Sequence, residues 1–170
     1  MQMYGPRPGY IGALLRHFGD LRDGTHAGAS SRADKERLFA AAVALLDPRV
    51  RRVLDEVNAY LLLDDGEVAA TGVYGREGGT EAVWSLSWPE QQAAGINPIV
   101  IRAYFGAGFL HPHLQSGTAG DWPLNVFDEE QAEAELPTLR AMAAADLHNL
   151  VFQLGGDTQI IPAVLNGQAA

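Results

Sequence analysis

Thr80-Glu81-Ala82-Val83-Trp84-Ser85-Leu86-Ser87-Trp88 decides the fold class, because its apolar and polar residues alternate. Ala82, Trp84, Leu86 and Trp88 fall on one side of an extended chain, and Glu81, Ser85 and Ser87 on the other. That is the period-two pattern of a half-buried strand. Pro89 ends it. On the N-terminal side, Gly75 to Gly79 reads as a turn and Glu67–Tyr74 as the preceding strand. Asp64-Asp65-Gly66 is a hairpin turn that joins it to a strand at Tyr60–Leu63. On the C-terminal side, Pro98 leads into Ile99–Phe105, rich in β-branched and aromatic residues. These connections are too short for parallel crossovers, so the pattern predicts an antiparallel meander.

Helical periods flank the meander. Ser31 and Asp34 resemble an N-cap with an acidic third position. Leu38, Phe39, Ala42, Val43, Leu45 and Leu46 follow at helical spacing. Asp47-Pro48 stops that helix and starts another, and Val50, Val53, Leu54 and Val57 continue the apolar stripe. Residues 32–59 are therefore a helix pair or one kinked helix. At the other end, Asp128 caps a final helix with Gln131 at the capping-box position. Pro137 can restart it; its stripe is Leu136, Leu139, Ala143, Leu147, Leu150 and Val151, and Gly155-Gly156 stops it. Gln159–Val164 reads as a short strand. The expected order is helix, meander, irregular loop, helix: an α+β domain with helices packed on one face of a small antiparallel sheet.

Residues 1–31 are broken by glycine and proline. Tyr10 to Phe18 supports a helical turn or two, and Asp20 to Ser31 reads as a flexible loop. The expected organisation is a flexible or partly ordered segment at 1–31 and a single domain at 32–170. The chain has 170 residues, 47% hydrophobic and 19% charged, which is enough to build one core without a metal or disulfide. Its net charge of −9 disfavours binding to a phosphate backbone. There is no cysteine, which excludes disulfides, thiolate ligands and cysteine nucleophiles. Met1 to Tyr10 lacks a signal-peptide pattern, and no apolar run is long enough to span a bilayer. A cytoplasmic, bacterial protein is expected, with neither nucleic acid nor membrane as partner.

Gly106–Phe127 has no period but holds two histidines and Trp122. Long irregular segments in compact domains are commonly functional. Within it, Phe109-Leu110-His111-Pro112-His113-Leu114-Gln115-Ser116-Gly117 admits several readings. Pro112 can lock a turn in which His111 bonds a loop carbonyl. His111 and His113, spaced H-x-H, can instead ligate a metal with His148, Asp146 or Asp121 as a third ligand. An acid–base site would combine His111 with Ser116, Thr118 or Asp121. Asp146 and His148, two apart on a helix, do not face each other and read as the outer polar face of a core helix.

The order of short motifs between residues 60 and 122 also resembles the central part of a ubiquitin-conjugating enzyme. Gly72-Val73-Tyr74-Gly75-Arg76-Glu77-Gly78-Gly79 sits at that family's turn. Val83-Trp84-Ser85-Leu86-Ser87-Trp88-Pro89 resembles its next strand and proline, and Pro98-Ile99-Val100-Ile101 the strand after that. His111-Pro112-His113 stands where the family has His-Pro-Asn; Gly117, Trp122 and a helix after Asp128 follow in order. His113 replaces the asparagine that helps stabilise the oxyanion, and Thr118, Ala119 and Gly120 stand where the family has its cysteine. The resemblance implies the fold without thioester chemistry: a non-catalytic interaction module that binds a ubiquitin-like protein, its activating enzyme or another protein partner, with no cofactor and no metal. On this reading His111, His113 and Asp121 occupy the catalytic positions, and Phe109, Leu114, Trp122 and Asn125 are the binding residues. Among the aromatics, Trp84 is expected in the core and Trp122 at the surface. The alternative function is a small metal-dependent or acid–base enzyme using His111 and His113.

Overall fold

A computed structural model describes residues 4–167; residues 1–3 and 168–170 of the two expected segments lie outside the described residues. The architecture is α+β. One antiparallel sheet runs in the order β1-β3-β4-β5-β6, with β2 also paired to β3. β3 (Gly79–Ser87) is its spine. Ala82, Trp84, Leu86 and the following Trp88 are all buried, as the alternation requires. β4 (Ile99–Gly106) pairs with β3 over its whole length, and buries Ile99, Ile101, Ala103 and Phe105 on the same face. That face meets α2 (Arg32–Leu61) and α5 (Leu136–Gln153) in one core, where Phe39 approaches Phe105 with ring centroids 6.3 Å apart.

Several boundaries differ from the sequence expectation. Asp47-Pro48 does not end a helix. α2 is continuous for 30 residues with Pro48 inside it. Proline removes one rung of the helical ladder, at a cost of about 3 kcal/mol. Burial of Phe39, Leu46, Val50 and Leu54 against the sheet on both sides of it offsets that loss. The Asp47 carboxylate, read as a helix cap, instead accepts from the Trp84 indole nitrogen of β3 at 2.9 Å. Tyr60–Leu63 is not a strand. Tyr60 and Leu61 finish α2, and Leu63 and Asp64 take left-handed backbone angles. The Asn58 side chain then bonds both the amide (2.8 Å) and the carbonyl (3.1 Å) of Gly66, so the Asp64-Asp65-Gly66 turn joins a helix to a strand.

The Glu67–Tyr74 strand is two pieces, β1 (Glu67–Ala70) and β2 (Tyr74–Arg76), split at Gly72 with its φ of +67°. Both pair with β3. The irregular segment contains a small hairpin of β5 (His113–Ser116) and β6 (Trp122–Pro123). Trp88-Pro89 opens the five-residue α3 (Pro89–Ala93). The expected strand at Gln159–Val164 is a 3₁₀ turn, Thr158–Ile160, followed by α6 (Pro162–Leu165). Pro162 at a helix start suits it, and Ile160 is pinned by its carbonyl, which accepts from the Trp88 indole at 2.6 Å.

Asp128 caps α4 (Glu129–Ala134): its Oδ1 accepts from the Gln131 amide at 2.8 Å. The Gln131 side chain reaches one residue further back than a capping box, to the amide of Phe127. The stripe on α5 is buried as expected, save that Val151 is half-buried. Within residues 1–31, α1 (Gly9–Asp23) is a full helix rather than a turn or two. It lies against α4 so closely that a Cβ on Gly9 would sit 2.7 Å from the Ala134 carbonyl. No helix among the described residues is long and apolar enough to cross a membrane.

Candidate functional site

α1 and the His-Pro-His segment build one site. Arg16 of α1 donates from Nε and Nη2 to the Asn125 carbonyl at 3.0 and 2.7 Å, and this ties the helix to the chain after β6. The Asn125 side chain is fully buried and donates to Asp20 of α1 at 3.4 Å. Asp20 in turn organises the Asp20–Ser31 stretch, read as a flexible loop: Asp20–Asp23 end α1 and the rest is a hydrogen-bonded turn. Its two carboxylate oxygens accept from the Ala27 amide, both at 3.1 Å. His26 and Ala29 close the turn with paired backbone bonds of 2.9 Å.

His111 is buried, and its Nε2 donates to the Thr25 carbonyl of that turn at 2.8 Å. The turn-locking role of His-Pro is therefore realised across 86 residues of sequence. The His17 ring lies edge-on to both His111 and His113, with centroids 5.2 and 5.9 Å apart, and His26 lies 5.8 Å from His111. Four of the five histidines of the chain thus come together from α1, the turn, the loop before β5 and the first residue of β5. His148 stands apart, exposed on α5. Burial holds His17 and His113 below the usual imidazole range, and it pushes His26 down to about 4. Among the described residues, no group of three or more His, Asp and Glu side chains is placed to hold a metal ion.

His113 is half-buried and stacks on Tyr104 of β4, 5.9 Å between centroids, with the edge of Phe109 6.0 Å away. The Tyr104 hydroxyl donates to Asp121 at 2.8 Å. Burial, then that bond, pushes the phenol up to about 12. Beside them a pocket of about 250 Å³ is lined by Arg76, Glu81, Arg102, Tyr104 and Phe109. Glu81 is buried, and its charge is met by Arg76 at 2.9 Å, by Arg102 at 3.6 Å and by the Tyr74 hydroxyl.

The structure thus brings His111, His113, Asp121 and Phe109 into one region and gives the other sequence-predicted residues different places. Phe109 and its neighbour Leu110 are exposed, as an anchor requires. Leu114 is fully buried in the sheet core and Asn125 is fully buried beneath α1, so neither offers a side chain to a partner as the fold stands. Trp122 is half-buried against the core rather than exposed. It lies near Glu135, whose carboxyl is raised to about 7 by burial, with Arg16 opposing. Asp146 is not on an outer helix face. It is 1% exposed, and its Oδ2 accepts from the Val100 amide at 2.9 Å. Thr118 accepts from Asn149 at 2.8 Å. Sequence reasoning missed His17, His26, Asp20 and Arg16. The one available signal was that, of five histidines, His17 and His26 were given no role.

Comparison with protein-family models, with curated proteins and with solved structures finds no match to this chain.

Proposed function

We propose that the protein is a non-catalytic interaction module with the element order of a ubiquitin-conjugating enzyme, binding a ubiquitin-like protein, its activating enzyme or another protein partner. The observation that carries this reading is an antiparallel meander in chain order, packed on one face by the helix before it and the helix after it. A parallel sheet, or a meander without a helix across it, would have removed its basis. The site chemistry is compatible with binding. No thiol exists, His111 is committed to a backbone carbonyl, and Phe109 and Leu110 stand exposed immediately before the His-Pro-His segment. Adjacent exposed aromatic and aliphatic side chains suit a binding anchor. The setting that goes with this reading is the cytoplasm of a bacterial cell.

The test uses the full chain as bait in native lysate, beside the Phe109→Ala/Leu110→Ala variant, with a metal assay on the same material. Capture of a ubiquitin-like protein or its activating enzyme by the wild type, at least tenfold reduced in the variant, is the expected result. Stoichiometric metal with no such partner would overturn the reading in favour of a metal-dependent enzyme.

A further inference from the structure

We propose that His26 is a proton-released plug: its turn, Gly24–Ser31, seats the neutral imidazole in the histidine cluster and swings out when that ring is protonated. This proposal is independent of the interaction reading. Its basis is geometric. The flanking residues Gly24, Ala27 and Gly28 are exposed, while the His26 side chain between them is 1% exposed. Among the described residues, neither of its ring nitrogens has a hydrogen-bond partner. A buried imidazole without partners is stable there only as the uncharged form.

The turn is also strained. Gly24, Ala27 and Gly28 have φ of +70°, +47° and +80°, and Ala27 has no glycine-like freedom to be there. A strained segment anchored by one side chain and a few bonds opens without unfolding the core. What the charged ring would meet is visible on every side. Asp20 of α1 approaches Nδ1 at 3.6 Å and attracts it. His17 of α1, His111 of the loop and Lys35 of α2 oppose it. The Phe127 ring, 5.0 Å away, adds only a weak cation–π attraction, smaller than the penalty of burying the charge. The Asp20 oxygens are already engaged by the Ala27 amide, so the attraction does not compensate burial.

The sign follows from linkage. His26 is held at about 4 in the closed turn and returns to about 6.5 once exposed. The open turn therefore binds the proton more tightly, and closure is fully favoured above pH 6.5 and lost as pH falls towards 4. Between about pH 7.5 and about pH 5 the opening equilibrium constant rises about 30-fold from this ring alone. Glu135, raised to about 7, titrates in the opposite sense; it sits at the α4–α5 junction, not in the turn.

Hydrogen exchange read by mass spectrometry, corrected for intrinsic rates, tests the proposal. Amides of residues 26–29 should lose about 30-fold protection between about pH 7.5 and about pH 5, while amides of β4 hold theirs. His26→Phe should abolish the loss, and His148→Gln should leave it intact. An equal loss in His26→Phe, or an equal loss in β4, would overturn the proposal. Should His26→Phe not fold, NMR of the wild-type imidazole decides. The midpoint of its titration must lie in the pH range over which protection falls, and a ring that titrates elsewhere overturns the plug.

Discussion

Replacing Glu135 with glutamine should stabilise the protein at high pH and do nothing at low pH. Glu135 is 2% exposed, and its carboxyl is raised from 4.5 to about 7, chiefly by burial, against the attraction of Arg16. A carboxyl raised in the fold binds its proton more tightly folded than unfolded. Its favourable contribution is therefore complete below pH 4.5 and is lost as pH rises through 7. At about 1.36 kcal/mol per unit, the folded state at about pH 8 has lost about 3 kcal/mol to this group, and at about pH 5 less than about 1 kcal/mol. A glutamine amide in its place carries no charge at any pH. The difference in unfolding free energy between variant and wild type should therefore grow by about 2–3 kcal/mol from about pH 5 to about pH 8. At about 2–4 °C per kcal/mol for a chain of this size, that is a Tm difference of about 4–12 °C. Urea unfolding in unit steps of pH across that range measures it. A difference that is the same at every pH would refute the argument, because it would mean that Glu135 is not protonated by the fold.

Two further outcomes follow from the site. His111→Ala removes a buried donor and leaves the Thr25 carbonyl unpaired, so it should cost about 1–3 kcal/mol, measured as a lowered urea midpoint; an unchanged midpoint would show that the bond to Thr25 does not hold the loop. Gly117→Ala places a Cβ 2.9 Å from Asp146 Oδ1, so it should cost about 1–3 kcal/mol by overpacking; differential scanning calorimetry showing no loss would mean that the Asp146 side chain can move away from the Val100 amide freely.

The strand at 80–88 was legible because its information is local. Each side chain faces the side its parity dictates, and the core takes the apolar set. The C-terminal helical segment was legible for the same reason, although it is two helices: the Asp128 cap opens α4, and the stripe belongs to α5, which restarts at Leu136-Pro137. Pro48 left two readings open, a helix pair or one helix, because the local preference to break a helix competes with long-range burial on both flanks; burial prevailed and the helix is single. Tyr60–Leu63 misled because the Asn58 clamp on Gly66 makes a helix-to-strand turn out of residues that also suit a hairpin. The histidine cluster was not legible at all. His17, His26, His111 and His113 have no common spacing, and only the docking of α1 through Arg16 and Asn125 brings them together. That His111 bonds a loop carbonyl was readable from its proline neighbour, but which carbonyl, 86 residues away, was not.

Both margins of the sheet discourage main-chain recognition. On one side the outer strand is split into β1 and β2 at Gly72, so no continuous row of free amides and carbonyls is presented. On the other, β6 has two residues, one of them Pro123, which has no amide to offer, and α1 lies against it. Such blunted margins resist self-templating into fibrils. They also restrict how any protein partner can engage this chain. Addition of a strand is disfavoured at both, and under the proposed function the contact falls to exposed side chains such as Phe109 and Leu110.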